Sequence, residues 1–183
     1  MPHLLADNAT YFITARTLCK IHYFDTFNKK QIVLDQIKRA QKKFQIKIYA
    51  FAILNNHYHL LIEILQGADL PKVMQLISGG SSFLLNKNCQ IKKNIWRGYW
   101  DKLIKNEDMF IKVYAYILGN PLKHKVVKNF FELKKYKFCS FRQALKYKNE
   151  KLLKEWILNI MALKLDEELY KQNPFVYYGD TSD

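Results

Sequence analysis

A chain of 183 residues, 49% of them hydrophobic and 15% aromatic, is long enough for one domain with an appendage and apolar enough for a real core, which excludes a disordered chain. Thirty Lys and Arg against sixteen Asp and Glu leave a formal charge of +14, so the natural partner is a polyanion, nucleic acid before an anionic membrane surface, although lysine-rich faces also serve simply as solvated surface. No run of about 18 apolar residues is present to span a membrane, Met1–Thr10 lacks the apolar stretch of a signal peptide, and three scattered cysteines without a CxxC pair argue against a zinc knuckle and fit a reducing cytoplasm.

Tyr11–Leu18 is rich in β-branched and aromatic residues and reads as a first strand. Asn28 is placed to cap a helix reaching Phe44, with Ile32, Val33, Ile37, Ala40 and Phe44 on its apolar side. Ile46–Leu54 and His57–Leu65 are two strand runs separated by Asn55-Asn56, a pair that favours turns and positive φ, so a hairpin joins them. Asp69 begins a helix with Pro71 in its first turn, which the Ser78–Ser82 run (SGGSS) loosens or interrupts. Trp96–Ile104 reads as a strand, and Asp108 caps a helix that Asn120-Pro121 ends after Gly119, because proline disfavours helical geometry in the residue before it.

The resulting order, β-α-β-β-α-β-α, defines an α+β class. Its first six elements match the ferredoxin-like split βαβ plan, an antiparallel sheet with helices packed on one face. A basic C-terminal helical extension follows. The boundaries are residues 1–128 for the main domain and 129–183 for the extension, which packs on or beside it. Within Lys123–Lys148, lysines alternate with Phe130, Phe131, Tyr136, Phe138 and Phe141, a texture that suits stacked bases and paired phosphates of a single strand, or equally an arm packing its rings on the core. Glu150–Tyr170 has the pattern of an amphipathic helix, and the tail after Gln172 is expected to be loosely held.

The chemistry concentrates in His57-Tyr58-His59. Residues two apart on a strand share a face, so both imidazoles reach one point while Tyr58 faces away. Buried imidazoles side by side are costly without partners; ligation of a metal is one solution and ordinary hydrogen bonding in a core the other. Asn56 is positioned to fix one imidazole from outside. Glu63, four residues past His59, is either an outer partner of such a site or a polar residue near the sheet edge. On the helix after Asp108, Phe110, Val113, Tyr114 and Ile117 form the core stripe. Tyr116 and Asn120, one turn apart, lie along its flank, so Tyr114 suits the core and Tyr116 a groove, with Asn120 able to offer an oxygen to a metal.

Asn56-His57-Tyr58-His59, with Tyr116-Ile117 and Asn120-Pro121, resembles the HUH single-strand DNA transposases that use one tyrosine, above all the REP-associated tyrosine transposases. The resemblance runs over most of the chain, including Tyr11–Arg16, Gly79–Ser82, Trp96–Trp100 and Tyr136–Arg142. Two departures stand out: Asn55 where the family often has proline, and the bulky Tyr58 where it often has a smaller hydrophobe. Neither removes a catalytic group. The resemblance implies a metal-dependent nuclease and strand-transferase acting on single-stranded or hairpin DNA. His57, His59 and Asn120 would hold Mg²⁺ or Mn²⁺. Tyr116 would attack the scissile phosphate, take the 5′ phosphate and free a 3′ hydroxyl. Ionising a free tyrosine at neutral pH costs about 4 kcal/mol, a cost that lysines such as Lys112 or Lys123 and the metal would reduce. The candidate DNA contacts are Arg16, Arg97, Lys112, Lys123, Lys134 and Lys135. A monomer or homodimer fits, with the tail favouring the former. The competing readings are a host-adopted nucleic-acid-binding protein without catalysis and a ferredoxin-like RNA-processing nuclease that needs a 2′ hydroxyl.

Overall fold

The computed structural model describes residues 5–91 and 93–163. Chain order is β1 (Ala9–Thr17), α1 (Phe27–Phe44), β2 (Lys47–Ile53), β3 (His57–Ile64), α2 (Leu70–Met74), α3 (Gly80–Cys89), β4 (Trp96–Leu103), α4 (Glu107–Lys123), α5 (Phe130–Lys135), α6 (Phe141–Ala144) and α7 (Glu150–Ala162). The four strands form one sheet in the order β2-β3-β1-β4, every neighbouring pair antiparallel. Each crossover, β1–α1–β2 and β3–α2–α3–β4, skips over one strand of opposite direction, so the α+β class and the split βαβ plan are as expected.

Strand alternation divides the core in two. Tyr11, Ile13, Tyr58, Leu60 and Ile62 point to one face, where Val33 and Ile37 of α1 and Val73, Ile77 and Leu85 of the second crossover cover them. Phe12, Leu61 and Trp100 point to the other, where Val113 and Ile117 of α4 and Leu153, Ile157 and Ile160 of α7 close over them. The expectation of helices on one face therefore holds for the crossover helices alone. The second face carries its own apolar residues, and α4, which lies outside the split plan, buries them. That placement brings α4 across the same face as His57 and His59.

Local signals shift several boundaries. The Thr26 hydroxyl, not Asn28, caps α1 by accepting from Lys29 N, and Gln45 ends it in the left-handed region at φ 52°. Asn106, not Asp108, caps α4 by accepting from Met109 N at 2.8 Å, which leaves Glu107 and Asp108 in the first turn to complement the helix dipole. The Gly-Ser run loosens its helix, as expected, without ending it: a π turn at Gln75–Gly79 joins α2 to α3. Neither Asn55 nor Asn56 has positive φ. Their carbonyls instead accept from Phe24 N and Thr17 N, tying the hairpin turn to neighbouring loops. Pro121 lies inside α4, which runs on to Lys123, and His124 N closes the last turn on Asn120 O at 3.0 Å. With Asn120 fully buried and Pro121 buried beside it, packing overrides the local preference of the residue before proline.

Residues after α4 share the core. Leu133, Phe141 and Ala144 join the α4 cluster, and Tyr136–Ser140 runs along the edge of β2, with Ile53 N donating to Phe138 O and Ser140 N to Phe51 O. The stretch of the expected last helix beyond Leu163, and the tail after Gln172, lie outside the described residues.

The seam between α4 and α7 leaves no room for a side chain at Gly119, where an added Cβ would stand 2.7 Å from Ile157 Cγ2. Alanine is the better helix former by about 1 kcal/mol, but this contact outweighs it. Gly119→Ala is expected to lower stability in urea by about 1–2 kcal/mol. The loss should be smaller when measured in an Ile157→Ala background, where the clashing methyl is gone; equal losses in both backgrounds would place the cost elsewhere.

Candidate active site

Three elements build the site. β3 contributes His57 and His59, which pair with Arg16 and Thr14 of β1. α4 contributes Tyr116 and Asn120, and its last turn leads into His124. His57 is 7% exposed, His59 2%, Tyr116 5% and Asn120 0%. The two histidine rings lie 5.0 Å apart. The Tyr116 ring meets His59 edge-on at 5.4 Å, and Phe12 contacts both, stacking on His59 at 5.6 Å and meeting Tyr116 edge-on at 6.0 Å. Lys123 Nζ sits 5.0 Å from the centre of the Tyr116 ring.

The expected division of tyrosines is reversed. Tyr116 is the buried one, whereas Tyr114 is half-buried and stacks on Phe110 at 6.1 Å. Tyr116 packs among Phe12, His59 and Lys123, so its groove is roofed by the site itself.

Each histidine is oriented by a neighbour. Asn56 Oδ1 lies 2.7 Å from His57 Nδ1, and Thr14 Oγ1 lies 2.9 Å from His59 Nδ1. Burial holds the His57 imidazole down to about 3, with His124, Arg16 and Lys123 adding to the effect and the Asn120 contact opposing it. Burial first, and then His57, His124, Arg16 and Lys123, hold His59 well below the usual imidazole range. Both rings are therefore neutral at pH 7. A carboxamide oxygen only accepts, so His57 carries its proton on Nδ1, donates it to Asn56 and leaves a lone pair on Nε2.

That lone pair faces Asn120 Oδ1 at 3.2 Å, another acceptor, while Asn120 Nδ2 is buried without a hydrogen-bond partner. Two acceptors facing each other with no proton between them are satisfied either by a cation or by the carboxamide turned over so that Nδ2 donates to Nε2. Adjacent ligands on an octahedral ion with bonds of about 2.1 Å stand about 3 Å apart, close to the observed spacing. No group of three or more His, Cys, Asp or Glu able to hold a metal occurs among the described residues. The His57 Nε2 and Asn120 Oδ1 pair, with the His59 ring 5.0 Å from that of His57, offers neutral nitrogen and oxygen donors that fit a divalent ion.

The remaining sequence candidates separate. Arg16 and Lys123 both act on the imidazoles. Arg97 is exposed in the bulge of β4 opposite the Arg16–Thr17 step, next to Gly98, whose φ of 145° would strain any side chain. Lys112 pairs with Asp108 at 2.9 Å, Lys134 with Glu150 at 3.3 Å, and Lys135 lies 3.8 Å over the Phe131 ring. Glu63 is not with the histidines: it accepts from Tyr49 Oη and faces Lys47, about 13 Å along the strand from His59. Tyr58 faces the opposite core, its hydroxyl 2.9 Å from Ser78 Oγ.

Sequence reasoning missed three residues. Phe12 and Thr14 follow from strand alternation once β1 is paired with β3. His124, whose ring is 4.8 Å from His57, continues the one-turn spacing of Tyr116 and Asn120 and was hidden by ending the helix at the proline.

The neutral imidazoles make a stability prediction. The unfolded chain takes up protons near pH 6.5 and the folded chain resists until about pH 3 at His57, so stability should fall as pH drops through that window and be fully present above it. Each buried imidazole contributes a slope of about 1.4 kcal/mol per pH unit there. Denaturation at pH 7, 6 and 5 checks this. His57→Gln should flatten the slope, and an unchanged slope would mean that His57 takes up its proton without unfolding.

The fold aligns with the structure of a REP-associated tyrosine transposase bound to a REP hairpin, with a TM-score of 0.67 and 21% identity over 80% of this chain and 85% of that one. The two chains thus share their fold. An uncharacterized protein of Haemophilus influenzae is 27% identical over 144 residues, the match spanning 61% and 79% of the two chains. The model of the family described as "Transposase IS200 like" matches residues 6–117, more than half of the chain, and the chain belongs to that family. No helix among the described residues is long and apolar enough to cross a membrane.

Proposed function

We propose that this transposase cuts and rejoins single-stranded DNA at hairpin-bearing ends through a covalent bond between Tyr116 and a 5′ phosphate. The observation that carries this reading is one helix delivering both parts: Tyr116 against His59, and Asn120 Oδ1 3.2 Å from His57 Nε2. The hairpin partner is supported by the similar transposase, whose structure holds a REP hairpin.

His57, His59 and Asn120 would hold Mg²⁺ or Mn²⁺; when bound, the ion polarises the scissile phosphate and offsets the charge that develops on it. The chain supplies the rest. Tyr116 gives up its hydroxyl proton and its oxygen attacks phosphorus. The bond from phosphorus to the 3′ oxygen breaks, that oxygen leaves as a protonated hydroxyl, and the 5′ phosphate stays on the tyrosine. Lys123 over the Tyr116 ring and Arg16 beside His57 balance negative charge on the phenolate and the phosphate. Phe12 and the buried walls fix the ring's position. A second 3′ hydroxyl reverses the step, so the strand reseals without a nucleotide cofactor. Residues 1–128 would carry this chemistry and residues 129–183 would add grip on the strand.

The test is a labelled hairpin oligonucleotide with single-stranded flanks, incubated with Mn²⁺ and run on a denaturing gel. A protein–DNA adduct that maps by protease digestion and mass spectrometry to the Tyr116 peptide is expected. Tight hairpin binding with no adduct under any divalent ion would replace this reading with a purely binding one.

A further inference from the structure

A second feature lies at the hairpin end of the sheet, outside the cluster of imidazoles. Phe27 and Lys30 from the start of α1, and Lys135, Tyr136, Lys137 and Phe138 from the strip along β2, line a cavity of about 330 Å³. The Tyr136 hydroxyl donates to Ile53 O at 2.8 Å, and Ile53 pairs with Tyr58, the residue after His57. The cavity therefore adjoins the β2–β3 hairpin that also carries His57, from the opposite side of the sheet.

Its unusual member is Lys30. The side chain is 5% exposed, yet its ammonium makes no hydrogen bond or ion pair with any described residue. Asp25, the carboxylate that acts on it, is held by Lys29 at 2.9 Å. The aliphatic stem of Lys30 is packed away while its ammonium reaches the cavity, where partial burial holds it below its ordinary value and an anion would be favoured over water alone. The other lining cations, Lys135 and Lys137, add positive charge around it. The apolar part is equally telling: Phe27 is 52% exposed, with Phe138 edge-on at 5.0 Å and Lys137 Nζ 5.1 Å from its ring centre. An exposed ring beside cations suits a nucleobase that stacks and a phosphate that pairs.

We propose that this cavity holds one nucleotide of the single strand flanking the cleaved bond, its phosphate on Lys30 and Lys137 and its base on Phe27. The proposal rests on the reading of the chain as a single-strand DNA transferase, and its occupant is the DNA flank, not free nucleotide. It gives the Lys30 ammonium an anion at the cavity and makes the basic, aromatic strip after α5 part of the substrate path.

Affinity for a labelled hairpin with and without single-stranded flanks tests it, using Phe27→Ala and Lys30→Met at several salt concentrations. Each variant should weaken binding of the flanked hairpin about tenfold and leave the bare hairpin unchanged. Lys30→Met should also lower the salt dependence by about one counterion. Because methionine keeps the packed stem of Lys30 and removes only the ammonium at the cavity, its melting temperature should stay within a few degrees of the parent's; a clear fall would show that Lys30 serves the fold and would overturn the proposal. Wild-type affinity of either variant for the flanked hairpin, or equal losses on both DNAs, would also overturn it. The Tyr116 adduct is scored separately: flank binding that depends on the cavity in a protein that forms no adduct keeps the cavity and rejects the nuclease, and an adduct with no such dependence does the reverse.

Discussion

Tyr116→Phe should abolish the covalent protein–DNA adduct and reduce strand cleavage by at least about a thousandfold, while hairpin affinity stays within about threefold of the parent. Only one oxygen is removed. The ring keeps its edge-on contacts with His59 and Phe12 and its place under Lys123, so fold and DNA surface are preserved. The readout is a denaturing gel beside an equilibrium binding curve on the same hairpin. An adduct that persists in this variant would remove Tyr116 from the mechanism, with Tyr114, one of the other tyrosines of the helix region, as the first alternative to map.

The second large effect concerns the donor set. Mn²⁺ at a hundred times its Kd should stabilise the parent by about 2.7 kcal/mol, a rise in melting temperature of about 5–10 °C for a chain of this size. His57→Ala and His59→Ala should each lose most of that rise and most cleavage, yet keep most of their affinity for hairpin DNA, because the cations that meet phosphate are untouched. Asn120→Leu should behave alike, whereas Asn120→Asp keeps an oxygen at the same place and should retain the thermal response. A full response in the His57→Ala, His59→Ala double variant would put the ion at another site. Equal loss of metal response and DNA binding in both single variants would mean that the imidazoles only hold the fold.

Much of this was legible in the sequence because it depends on local periodicity. A period of two puts His57 and His59 on one face and Tyr58 on the other, and a period near four aligns Tyr116 with Asn120. What was not legible depends on contacts between distant segments. Pro121 reads as a helix stop, but the buried Asn120 and Pro121 keep the helix going, and with it come Lys123 and His124. Tyr116 reads as a groove residue because the helix alone does not show that Phe12 and His59 wall it in. Glu63 shares a face with His59, yet strand rise carries it to Tyr49 and Lys47. The placement of α4 over the second face follows from the apolar residues on both sides of the sheet, a pattern visible in β1 only once its partners are known.

The three donors His57, His59 and Asn120 are all uncharged, and Arg16 and Lys123 stand close enough to the imidazoles to disfavour further positive charge. On the proposed reading a divalent ion would meet repulsion there, and a DNA phosphate would supply the counter-charge that the residues withhold. By linkage, each must then tighten the other by the same factor. On the proposed reading, ion and strand would load together, and Tyr116 would be primed only while a strand is held.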